Sequence, residues 1–337
     1  MIRRGMKMDE RFNQDGLVLS DHYAETMENA VLPFLKAREK RYSVQGAGGK
    51  PLFCVSCDAD APKGTVLVLH GFTESAEKFS ELMYSLVQNG FSVVAYDQRG
   101  HGHSWRDDAA KKDVSLTHVS DFNEYEQDLM DVCDAVLKKM PKPWMIFAHS
   151  MGGAVASLFL ERHPDVFSRA ALCAPMIAAI LGNIPAPVVS GMCRCFKLFG
   201  MGSKRVFISK PYDGPEDFNT AFATGRERFE WYDKVKHAHR EYWNNGPSYS
   251  WTLEAIKVSK WLLAPGAAEK IACPVKLYTA DDDASVYPEP QKQFIGRVKQ
   301  GEWAFVKGSK HEIYRSADDV LFPWWHDVLA FLKKGAE

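Results

Sequence analysis

The chain has 337 residues, a length that suits one large α/β unit with an insertion or two domains and that can bury a sizeable core. Its 42 basic and 43 acidic side chains nearly cancel, so no overall field draws it to nucleic acid or repels it from a membrane. Seven cysteines, an odd number without a regular framework, imply reduced thiols and a cytoplasmic setting rather than a disulfide scaffold.

In chain order, Met1–Lys7 is basic, but Met8-Asp9-Glu10-Arg11 follows where a signal peptide would carry its apolar core, so no signal peptide is expected. No stretch reaches the ~18 uninterrupted apolar residues that a membrane-spanning helix needs. The nearest approach, Met176 to Met192, is broken by Gly182, Asn183, Pro185, Pro187 and Gly191. Tyr23 to Lys40 reads as a helix with a proline in its middle third, charged enough at its end to lie on the surface. Arg41–Gln45 and Pro51–Cys57 read as short strands around Gly46-Ala47-Gly48-Gly49, an antiparallel hairpin at a sheet edge. In a strand, the thiols of Cys54-Val55-Ser56-Cys57 point to opposite faces, which argues against a redox or zinc pair.

Thr65–Leu69 and Phe91–Tyr96 read as buried strands on either side of a helix that stops at Asn89-Gly90, and this strand–helix–strand spacing implies a parallel sheet with right-handed crossovers. A helix from about Val119 to Lys139 leads into the apolar run Pro143–Phe147. After a further helix ending near His163-Pro164, the strand Arg169–Cys173 closes the first rhythm. From Met176 to about Lys270 the chain is rich in aromatics and helix-compatible, with breaks at Pro211, Gly214, Pro215, Gly246 and Pro247. The rhythm then resumes with a strand at Cys273–Ala280, a helix around Glu289–Arg297, a strand at Glu302–Val306 and an amphipathic helix, Ala317–Lys333. The expected architecture is a leader at residues 1–40, a doubly wound, mostly parallel α/β core at 41–175 and 271–337, and a helical cap at 176–270 over the carboxyl ends of the strands, where ligands bind in such sheets.

The chemistry centres on Ala148-His149-Ser150-Met151-Gly152-Gly153, between a predicted strand and a predicted helix. This approximates G-x-S-x-G, the nucleophile elbow, in which small residues flank a serine held in a strained turn. Ala148 replaces the first glycine and adds only a methyl. A serine becomes a nucleophile when a histidine takes its proton and a carboxylate orients the histidine. His311 follows the last predicted strand and precedes the last helix. Among Asp281, Asp282 and Asp283, the spacing from Ala280 to Val286 selects Asp283. An oxyanion would be met by backbone amides, those of Phe72 and Met151. Asp97, His101 and His103 form a tempting metal set, better read as a structured loop, so neither metal nor cofactor is expected.

Together, His70-Gly71-Phe72, Asp97-Gln98-Arg99-Gly100-His101-Gly102-His103-Ser104, Ala148–Gly153 and Lys310-His311-Glu312-Ile313 resemble the bacterial lysophospholipase and monoacylglycerol lipase branch of the α/β-hydrolases, from about Arg41 to Leu332. Asn219 through Arg228-Phe229, and Gly246 to Trp251, resemble the lysophospholipase side. The resemblance implies hydrolysis of the carboxylic ester of a single-chain lipid, most simply a lysophospholipid, through an acyl-serine intermediate. Trp251 is then expected at the acyl passage, and Arg226 or Arg228 at a phosphate. Ile177, Ile180, Leu181, Val188, Val189, Phe196, Leu198 and Phe199 offer acyl or peripheral membrane contact, on the cytoplasmic side of an inner membrane. A monoacylglycerol lipase, a short-chain esterase, a serine aminopeptidase and a non-catalytic binding module are the alternatives.

Overall fold

The computed structural model describes residues 9–182 and 184–336. The basic stretch Met1–Lys7 and the break at Asn183 lie outside the described residues.

The strands are β1 (Glu39–Gly46), β2 (Lys50–Cys57), β3 (Thr65–Leu69), β4 (Ser92–Tyr96), β5 (Trp144–His149), β6 (Arg169–Cys173), β7 (Val275–Asp282) and β8 (Gly301–Lys310), and the central ones, such as Thr65-Val66-Leu67-Val68-Leu69, are short apolar and β-branched runs between turn signals. These make one eight-stranded sheet in the order β1-β2-β4-β3-β5-β6-β7-β8. β1–β2 and β2–β4 pair antiparallel and the rest parallel, in an α/β-hydrolase sheet. The helices are α1 (Ser80–Gln88), α2 (Asn123–Ala135), α3 (Ser150–Arg162), α4 (Ala186–Leu198), α5 (Arg226–Ala238), α6 (Tyr249–Leu262), α7 (Pro288–Ile295) and α8 (Asp318–Lys333).

Both faces of the sheet are covered, so its central strands are apolar throughout rather than alternating. Along β3, Leu67 and Leu69 enter one buried cluster and Val66 and Val68 the other. Cys54 and Cys57 likewise divide between the two, one on each face, and burial pushes the Cys57 thiol up to about 12. Order along the sheet reverses around β3: the chain leaves it for β4 on one side and returns to β5 on the other. Loops leaving β3 and β5 therefore diverge, and the crevice between their carboxyl ends is where such sheets hold ligands.

The observed elements differ from the expected ones in three places. β7 and β8 run on to Asp282 and Lys310, so that Asp283 and His311 stand at the first residue beyond each strand. Gly246–Pro247 pairs in parallel with Leu116–Thr117, stitching the segment between β6 and β7 to the loop after β4. The N-terminal stretch is not a surface helix: Leu17, Val18, Tyr23, Met27, Val31 and Leu35 are buried in the core. A π-type turn at Met27–Val31 precedes Pro33, whose ring interrupts regular helix bonding.

A buried ion cluster holds that stretch in place. Arg228 Nε and Nη2 each donate to Glu81 at 3.0 Å, Nη2 also donates to the Val18 carbonyl at 2.6 Å, and Nη1 donates to Asp318 at 2.6 Å and to Ser20 Oγ at 3.2 Å. Every donor of this guanidinium is engaged and its side chain is 0% exposed. The expectation that Arg228 meets a substrate phosphate is therefore corrected: it joins α5 to α1, α8 and the N-terminal stretch. Removing one partner of a buried pair typically costs about 3–5 kcal/mol, because the remaining charges stay buried. Arg228→Ala is expected to lower the unfolding free energy by about that much, read from denaturant titration; a loss under ~1 kcal/mol would contradict the assignment.

Candidate active site

Ser150 is the first residue of α3 and adopts φ +50°, in the left-handed region that non-glycine residues seldom occupy. Thr73 (φ +62°) and Ala174 (φ +43°) share that region, so three strained residues gather just beyond the carboxyl ends of β3, β5 and β6. The backbones crowd there. A Cβ on Gly152 would lie 2.4 Å from the His70 carbonyl oxygen, and one on Gly153 would lie 2.5 Å from Pro175 Cβ. Ala148 lies two residues before Ser150, inside β5, paired with Leu69 and Leu172, where a methyl group is accommodated as in any strand.

His311 Nε2 is 2.8 Å from Ser150 Oγ, and its Nδ1 is 2.8 Å from Asp283 Oδ2. The other Asp283 oxygen accepts from the amides of Ser285 (2.8 Å) and Val286 (3.0 Å). Burial pushes this carboxyl up, but the His311 bond and those two amides outweigh it and hold it below the usual carboxylate range. Asp281 and Asp282 are exposed, and Asp281 accepts from the Gly308 amide. Hydroxyl, imidazole and carboxylate thus stand in series, an arrangement able to remove a proton from the serine as it attacks a carbonyl.

The Met151 amide lies in the first turn of α3, where N–H groups have no partner within the helix. The Phe72 amide takes no hydrogen-bond partner among the described residues. Gly71 abuts the elbow closely enough that a Cβ there would meet Ser150 Cβ at 2.9 Å. Asp97 is occupied by the amides of Ala76 and His103, both at 2.8 Å, and so organises its loop. Among the described residues no cluster of His, Cys, Asp and Glu is arranged to hold a metal ion.

Trp251 packs against the Phe72 ring, centroids 4.1 Å apart and tilted by 34°, and donates to the Tyr125 hydroxyl at 3.2 Å. It is buried, supporting the loop that carries the Phe72 amide rather than facing open space. Arg226 is exposed, paired with Glu230 and stacked over Phe218; no contact brings it to Ser150. Phe222, which the sequence did not single out, is 46% exposed with its ring edge toward His311 at 6.3 Å, and its carbonyl accepts from the Glu312 amide. Also missed were the charged groups beneath the elbow. Glu74 accepts from the Gly71 amide at 2.5 Å and meets His149 at 2.9 Å, while Lys78 bridges Glu74 and Glu312. Charged residues in loops look solvated in a sequence; only the fold brings these together.

The fold and this constellation define a serine hydrolase of the α/β-hydrolase superfamily. Within it, the chain belongs to the family described as "Serine aminopeptidase, S33", whose profile matches residues 60–318. It is 30% identical to Lysophospholipase L2 of Escherichia coli strain K12, over 92% of this chain and 94% of that protein. It is also 32% identical to Monoglyceride lipase of Mus musculus, over 40% of this chain and 42% of that one. In fold it is similar to a soluble variant of monoglyceride lipase from Saccharomyces cerevisiae in complex with a substrate analog, with a TM-score of 0.68, 18% identity and coverage of 88% of this chain and 96% of that one.

Because its position touches backbone rather than a flexible side chain, Gly152→Ala tests the crowding directly. Overpacking of this kind typically costs about 1–3 kcal/mol, and shifting α3 away from the β3 loop is expected to cut kcat by more than ~10-fold. Wild-type turnover in this variant would show that the close approach is not needed.

Proposed function

We propose that the protein hydrolyses the carboxylic ester of a single-acyl-chain lipid, most simply a lysophospholipid. Ser150 attacks the ester carbonyl, His311 takes the serine proton and returns it to the leaving alcohol, and Asp283 holds the imidazole in register. The amides of Phe72 and Met151 receive the oxyanion. Water then attacks the acyl-serine, with His311 as base, and no metal or cofactor is required. The observation that carries this reading is the pair of 2.8 Å contacts through His311. Residues 176–270 act as the cap. Sequence similarity to a lysophospholipase over 92% of the chain supports the substrate class over the monoglyceride lipases, such as that of Mus musculus, whose sequence similarity covers 40% of it.

The family description names an aminopeptidase, and such an enzyme needs a free carboxylate for the substrate's amine. Asp283 is engaged by His311, and the other acidic groups beside the elbow, Glu74 and Glu312, are buried and already paired with Lys78. Exposed Val188, Leu198, Phe199, Phe207 and Ile208 lie among exposed Arg194, Lys197, Lys204 and Lys210 with no acidic residue from 184 to 212. Such a surface suits peripheral contact with a bilayer from the cytoplasmic side. Among the described residues no helix is long and apolar enough to cross one.

Each methylene buried from the acyl chain contributes roughly 0.8 kcal/mol, so efficiency should climb with acyl length. The test is a hydrolysis panel of lysophosphatidylcholines of increasing chain length, monoacylglycerol, p-nitrophenyl acetate and an aminoacyl anilide. Long-chain lysophospholipid is expected to give the highest kcat/KM, and Phe222→Ala to lower that value several-fold while sparing p-nitrophenyl acetate. Preference for the acetate or the anilide would contradict the substrate class, and equal losses in Phe222→Ala would remove Phe222 from the acyl path.

A further inference from the structure

His149, next to the proposed nucleophile and entirely buried, has an acceptor at each ring nitrogen. Its Nδ1 is 2.9 Å from Glu74 Oε2, and its Nε2 is 3.2 Å from the backbone carbonyl oxygen of His311. A neutral imidazole has one N–H, so in that state one of these contacts would set lone pair against lone pair. Only the imidazolium donates to both. Glu74 has donors independent of His149, which favour its ionised form: Lys78 Nζ at 3.2 Å, and the Tyr314 hydroxyl and the Gly71 amide, each at 2.5 Å. Burial pushes its carboxyl up, but His149, Lys78 and Tyr314 hold it well below its usual range.

We propose that His149 is a buried imidazolium that positions the catalytic base. Through Nε2 it fixes the main chain of His311; through Nδ1 it joins the Glu74 carboxylate, whose same oxygen holds the Gly71 amide of the oxyanion loop at 2.5 Å. One cation thereby ties the nucleophile elbow, the base loop and the oxyanion loop to a common point. The proposal rests on His311 being the base.

The groups facing His149 fit this charge. From the stretch after β3 come Glu74, Lys78 and His70; from beyond β8 come His311, Glu312 and Tyr314; from β6 comes the Cys173 thiol. Burial opposes a proton on His149, yet Glu74 first and Glu312 next outweigh it and the repulsion from Lys78, leaving its proton affinity raised. His70 is shifted the other way by burial and so adds no competing cation. Because Glu74 holds the folded-state imidazolium above the usual value of about 6.5, its support is fully present below that value and is lost as pH rises through the raised one. Activity should therefore decline on the alkaline side as His149 loses its proton.

Neutron diffraction from crystals of the intact wild-type protein, exchanged into heavy water at about pH 6, below the usual imidazole value of about 6.5, locates the deuterons directly. Deuterons on both Nδ1 and Nε2 of His149 are expected; a single deuteron would overturn the proposal. As a kinetic test, Glu74→Gln removes the counter-charge while keeping an oxygen for Gly71. Its kcat is expected to fall at least ~10-fold with KM within about threefold, and its alkaline limb to move to lower pH. An unchanged kcat and limb would overturn the positioning role, and the neutron result stands even if the variant does not fold. Two deuterons in an enzyme whose Ser150 is not the nucleophile would instead fail the functional reading and leave the imidazolium intact.

Discussion

Everything about this molecule's site depends on how little room there is around the backbone of Ser150. The serine sits at φ +50°, with the start of α3 pressed against the His70 carbonyl on one side and Pro175 on the other. That compression explains the glycines after the serine, and it brings a free amide at the first turn of α3 beside the loop that follows β3. Strand order supplies the setting, because the reversal around β3 opens a crevice where the two loops part. Local strain in the backbone is sustained by the rigidity of the sheet beneath it.

Two buried ion clusters do different work in the same low-dielectric interior. Arg228 with Glu81 and Asp318 makes no hydrogen bond to Ser150, His311 or Asp283 and locks the N-terminal stretch, α5 and α8 to α1. Glu74 with Lys78, Glu312 and His149 lies directly under the triad and sets the relation between loops that no regular element connects. Both are satisfied by hydrogen bonds as well as by charge, which buried ions require. Regular hydrogen bonding fixes strands and helices internally, whereas loops after different strands have only side chains to align them.

How much of this could be read from the residues follows from the range of the interactions. The strands were legible because their apolar runs are local, and the elbow because a strained turn demands small neighbours within a few positions. Asp283 stood out from its triplet by spacing to Val286, whose amide does bond its carboxylate. Arg228 misled for the opposite reason: its partners are far away in sequence, so it looked like a solvated helix charge near a proposed phosphate. The buried N-terminal stretch was hidden by its charged neighbours, since Tyr23, Met27, Val31 and Leu35 recur at helical spacing between exposed glutamates. Phe222 carries no motif at all; the carbonyl it presents to Glu312 and the ring it sets near His311 place it beside the site.

In the proposed reaction Ser150 carries the acyl group during turnover. Treating the protein with a long-chain alkyl fluorophosphonate and mapping the adduct by mass spectrometry addresses it most directly. One adduct per chain is expected, on Ser150, formed together with complete loss of esterase activity and absent in His311→Ala. An adduct on another serine, or full activity in protein labelled at Ser150, would contradict it.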